Sequence, residues 1–179
     1  MTRRGATAKD ELRTSWQPPV GDVVHDLVLD AVLRNNPIPL AYRINYVANF
    51  YVGPLVAWME RSFKLTRPEW IVLFCLMRQP RLNAQLISMV TGRPKTSIAG
   101  AVKQLQKKKL ITRKTDIADS RRRVLHLTDA GRGLYKSIID SFVAREGDMV
   151  ASLDASEQQE LLRLFDKMIR SSRTWAKPY

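Results

Sequence analysis

Gly92-Arg93-Pro94-Lys95-Thr96-Ser97-Ile98 lies between two short stretches of helical spacing, and it constrains the fold more than any other segment. A glycine where a left-handed residue is wanted ends the first stretch, 84–91. A proline suited to a first helical turn opens the second, which runs to Leu110. Two short helices joined by a glycine-centred turn form a helix-turn-helix pattern. A β-type run over 111–115 follows directly, then a polar tip over 116–120, three arginines (Arg121, Arg122, Arg123) and a second β-type run over 124–127. A helix-turn-helix continued into a basic-tipped hairpin implies a winged-helix lobe. In such a lobe one helix suits a DNA major groove and the hairpin lies across the neighbouring backbone.

The charge points to the same kind of partner. The chain carries +13 at pH 7, and between Arg93 and Arg123 eleven basic residues stand against two acids, Asp116 and Asp119, a local net of +9. Most of the excess therefore occupies about one-sixth of the sequence. A basic patch of this density is an electrostatic footprint for phosphates.

The remaining composition narrows the class. The longest uninterrupted apolar run, 71–77, is far short of the roughly 18 residues a membrane span requires. The basic start, Met1-Thr2-Arg3-Arg4, is followed by no apolar signal segment, so a cytoplasmic protein without a membrane partner is expected. A single cysteine, Cys75, excludes an internal disulfide framework. His25 and His126 are the only histidines and form no Cys/His cluster, so no metal and no cofactor is expected. The sequence shows no phosphate-binding glycine loop, nucleophile elbow or metal-ligand spacing, so no enzyme is expected.

Residues 1–36 read as an N-terminal arm carrying a short amphipathic helix over 20–35, stopped by Asn35-Asn36-Pro37. Residues 38–65 are apolar on nearly every face, with a kink expected at Gly53-Pro54. A helix of that kind must be buried all round, which in so small a protein asks for a second subunit. Thr66 and Glu69 have capping-box spacing and open the next helix, and Asn83 caps the one after. Beyond the hairpin a long helix is expected over 129–153, with Leu134, Ile138, Phe142, Met149 and Leu153 on one stripe. Asp154-Ala155-Ser156-Glu157 is a second capping box before the last helix. The chain is thus mostly α with a small β-hairpin wing. A winged helix-turn-helix lobe over 65–128 joins a helical dimerisation region over 37–64 and 129–179.

At about 100° per residue, Ile98, Ala101, Val102 and Leu105 fall on one side of the helix that follows Pro94 and should face the core. Thr96, Ala99, Gly100, Lys103 and Lys107 fall on the other. Small residues near its start would let the backbone seat in a groove about 12 Å wide, with Thr96 able to hydrogen-bond and Ala99 able to touch a thymine methyl. Lys95 and Ser97, in the first turn, and Arg113, on the first strand, are placed for phosphates or base edges. Arg121, Arg122 and Arg123 suit a narrow minor groove, with Asp119 orienting Arg121.

These residues together resemble the MarR family of winged-helix transcriptional regulators. The matching stretches are Leu65-Thr66…Trp70, Thr91-Gly92-Arg93-Pro94-Lys95-Thr96-Ser97-Ile98, Leu105…Leu110-Ile111, Asp119-Ser120-Arg121 and Leu127-Thr128-Asp129-Ala130-Gly131. The resemblance covers about residues 38–172. It departs from the family pattern at Arg93-Pro94, where a capping Asp or Ser often stands. It implies a homodimer built from the first core helix and the last two, binding double-stranded DNA at a palindromic operator. It further implies a repressor released by a small aromatic or phenolic effector. Arg43, Tyr46 and Asn49 interrupt the apolar helix over 38–65 and, with Trp70, are the candidates to hold such an effector, Arg43 pairing with its carboxylate. The competing reading is an architectural or non-specific nucleic-acid binder without an effector.

Overall fold

The computed structural model describes residues 23–116 and 123–176. Among them the helices are α1 (Val23–Arg34), α2 (Pro39–Phe63), α3 (Arg67–Arg78), α4 (Ala84–Thr91), α5 (Lys95–Lys107), α6 (Asp129–Val150), α7 (Ala155–Arg170) and the single turn α8 (Ser172–Trp175). Strands β1 (Ile111–Thr115) and β2 (Arg123–Leu127) pair antiparallel between α5 and α6, with Ile111 opposite Leu127 and Arg113 opposite Leu125. Two compact units emerge, one ending at Phe142 and one beginning at Val143.

Local chemistry sets the helix ends. Glu69 Oε2 accepts from the Thr66 backbone N–H at 2.8 Å and from its hydroxyl at 2.9 Å, fixing the start of α3. Asn83 Oδ1 accepts from the Leu86 N–H at 2.8 Å and starts α4. Gly92, at φ 64°, ends α4 in the left-handed region that only glycine enters without strain. Pro94 is the residue before α5 and offers no side-chain cap, as its chemistry requires. Asp154 accepts from the N–H groups of Ser156 and Glu157 at 2.8 and 2.9 Å, while Glu157 accepts from the Asp154 N–H at 2.9 Å. The second capping box is therefore formed.

The core of the first unit joins the last turns of α2 (Trp58, Met59), α3 (Trp70, Val72, Leu73, Leu76), Ile87 of α4, the inner face of α5, and Tyr135 and Ile138 of α6. Trp70 stacks between Tyr135 (5.4 Å, 12°) and Phe142 (4.7 Å, 24°). Flat aromatic stacks of this kind add to the apolar burial of the rings. This core draws on residues from both sides of each expected lobe boundary. The stripe on α6 is also shifted: Tyr135 is buried where Leu134 is only half-buried, and Met149 is 41% exposed. The residues of 38–65 are not buried all round. Within this chain α2 buries Leu55, Trp58 and Met59, and Val47 remains exposed. Pro54 sits inside the continuous helix α2.

Candidate nucleic-acid interface

The residues expected to face the core of α5 do so. Ile98 and Leu105 are fully buried and Ala101 and Val102 nearly so. On the opposite side Thr96, Ala99, Gly100, Lys103 and Lys107 are all exposed, Lys95 is exposed in the first turn, and Ser97 is half-buried. The exposed face thus runs from small residues at the amino end to lysines at the carboxyl end. α5 rests on α3 and α4, which hold its inner face and leave the outer face open.

The wing is tied to the lobe at its base. The Leu125 N–H donates to the Leu82 carbonyl at 2.8 Å, extending the hairpin by one strand-like contact. Arg81 reaches across to Asp116 at 2.7 Å, so one of the two acids in the basic segment is spent on anchoring the hairpin. Arg113 is exposed on β1. Arg123, facing Thr115 across the pair, donates to its hydroxyl. Asp119, Arg121 and Arg122 lie outside the described residues.

Two arginines are not among the site candidates drawn from the sequence, although Arg93 is counted in the basic segment. Arg67 opens α3 and Arg93 precedes α5, and neither guanidinium has an acidic partner among the described residues. The Arg67 guanidinium is held below its ordinary pKa, first by partial burial and then by the charge of Arg93. Two unneutralised guanidinium groups close enough to repel one another favour a shared anion. Their 26-residue separation hid the pairing, and only the packing of α3 against α5 produces it.

The effector candidates fall into two aromatic groups. Arg43 is exposed and donates to the carbonyls of Pro39 (3.0 Å) and Leu33 (3.4 Å), Asn49 is exposed, and Tyr46 is half-buried with its ring 4.4 Å from that of Phe50. Trp70 belongs instead to the core stack with Tyr135 and Phe142 and is 6% exposed. No group of three or more His, Cys, Asp or Glu residues suited to a metal occurs among the described residues. No described helix is long and apolar enough to cross a membrane.

Known proteins resemble this chain in sequence and fold. Residues 63–122 match the family model described as MarR family. The chain is 24% identical over 114 residues, 64% of its length and 84% of the relative's, to the transcriptional regulator HosA of Escherichia coli. The crystal structure of the PcaV transcriptional regulator from Streptomyces coelicolor in complex with its natural ligand is similar at 26% identity and TM-score 0.60, over 81% of this chain and 96% of that one. A MarR/EmrR family transcriptional regulator from Acinetobacter sp. ADP1 is similar at 25% identity and TM-score 0.68, over 75% and 94%.

Proposed function

We propose that this chain, a MarR-type winged-helix transcriptional regulator, acts in the cytoplasm as a homodimeric, sequence-specific repressor released from a palindromic operator by a small aromatic or phenolic effector. The observation that carries this reading is the outer face of α5. It is bare of partners, small at its amino end and lysine-rich at its carboxyl end, beside a hairpin anchored by Arg81 and Asp116. Thr96, Ala99 and Gly100 meet base edges, with Lys95, Ser97, Lys103, Lys107, Arg113 and the wing residues Arg121, Arg122 and Arg123 on the backbone and minor groove, and Asp119 orienting Arg121. Arg67 and Arg93 hold a phosphate at the start of α5. Two such faces, one per protomer, read half-sites about one helical turn apart.

A ligand-bound relative supports the effector part of the reading. On this chain the anion meets Arg43, which leaves neutral carbonyls for a charged partner, with Tyr46 and Asn49 beside it, while Trp70 stays in the core stack. The test is selection of bound fragments from genomic DNA at physiological salt, followed by competition with random duplex. A specific regulator prefers its selected site by ~10³ or more. A ratio near one would instead identify an architectural binder using the same charge.

A further inference from the structure

Lys108 follows α5 in the middle of a run of three lysines, where charge alone marks it as a phosphate contact. The structure turns it inward. Its Nζ lies 2.6 Å from Glu69 Oε1 and donates to the Lys64 carbonyl at 2.6 Å. Glu69 is 1% exposed, and its other oxygen holds the Thr66 N–H and hydroxyl. The contact of Nζ with Oε1 is an ion pair, and it is the one partner that oxygen has among the described residues. Lys64 ends α2 in the left-handed region at φ 52°, which leaves its carbonyl without a helical partner until the lysine supplies one. Beside the pair is an open groove between α5 and the start of α3, lined by Thr66, Glu69, Thr96, Gly100, Gln104 and Lys108.

We propose that Lys108 and Glu69 form a positioning strut that sets the angle at which α5 is presented to DNA, and that Lys108 makes no phosphate contact. The strut joins the end of α2, the start of α3 and the end of α5 beside that groove. The buried Glu69 carboxylate would be left charged and uncompensated without the ammonium, whereas Lys108 keeps part of its side chain in water, so the demand for the pair comes from the carboxylate. The proposal rests on the DNA-binding reading above.

The two roles for Lys108 predict opposite signs for Glu69. Were Lys108 a phosphate ligand, Glu69→Gln would remove a competing negative charge and strengthen DNA binding. For a strut, Glu69→Gln weakens it. Glutamine also serves at the third position of a capping box, so this variant keeps the start of α3 and removes only the ion pair. The probes are the duplex that the wild-type protein selects from a random library and a scrambled duplex of equal length, titrated across salt. The expected result is that Glu69→Gln and Lys108→Gln each weaken the selected duplex by roughly 10-fold, a single base pair's worth of discrimination. Binding of the scrambled duplex and the slope of log K against log salt stay as in wild type. The double variant is no worse than either single one. A slope reduced by about 0.9 in Lys108→Gln, or tighter binding by Glu69→Gln, overturns the strut. If Glu69→Gln melts below the assay temperature, Lys108→Met is titrated in its place, and its salt slope decides the question in the same way. Failure of the wild-type protein to select any duplex would count against the DNA-binding reading and is separate from these outcomes.

Discussion

Gly131 lies so close to the carbonyl of Leu110 that a methyl group on its Cα would stand 2.1 Å from that oxygen. The contact seats the first turn of α6 on the joint between α5 and β1. Thr128 completes the joint: its hydroxyl donates to the Lys109 and Leu110 carbonyls and accepts from the Gly131 N–H at 3.0 Å. The obstacle is backbone, which cannot swing aside. Gly131→Ala should lower stability by about 1–3 kcal/mol as an overpacked core site, a fall in Tm of roughly 2–12 °C for a chain of this size. An unchanged melting curve would show that the joint opens freely.

The two halves of the outer face of α5 should separate in binding assays. Thr96→Ala or Ala99→Ser changes which duplex is preferred, by about 1–3 kcal/mol at the affected base pair. Lys103→Ala weakens selected and random duplex alike and lessens the salt slope by about one contact. Sequence selection at low and high salt distinguishes the two, and a shifted preference in Lys103→Ala would contradict the division.

Cys75 should be a sluggish thiol. It is half-buried, and burial pushes its pKa above the ordinary thiol value. The raised pKa leaves less thiolate near neutral pH, so alkylation should run more slowly than for free cysteine, because only the thiolate reacts. The rate should climb with pH towards the raised pKa and rise on unfolding. Rapid labelling of the folded protein at neutral pH would refute this.

The purified protein should sediment as a dimer. In α1, Val23, Val24, Leu27 and Val28 are 59–71% exposed, and in α7 Leu162 and Ile169 are 66% and 64% exposed, with no residue buried in either helix. Apolar surface of that extent marks an interaction site. Leu162→Glu with Ile169→Glu should raise the dimer dissociation constant by at least ~10-fold, the loss of roughly one buried apolar side chain. Sedimentation equilibrium measures it, and an unaltered mass would place the interface elsewhere.

What could be read from the chain was whatever neighbours in sequence decide between themselves. The caps at Thr66, Asn83 and Asp154, the left-handed Gly92, the hairpin and the buried face of α5 each depend on residues a few positions apart, where propensity and periodicity act directly. Thr66 and Glu69 were legible as a cap for that reason. The second task of Glu69, its pairing with Lys108, was not, because 39 residues separate the two and a lysine after a helix looks the same whether it turns outward or in. Tertiary packing alone decided that Tyr135 is buried more deeply than Leu134, that the charge of Arg93 acts on Arg67, and that Gly131 touches Leu110. Local patterning specifies which side of an element is apolar. The partner it meets, and the exact rotation at which it meets it, emerge only when all the elements compete for the same interior volume.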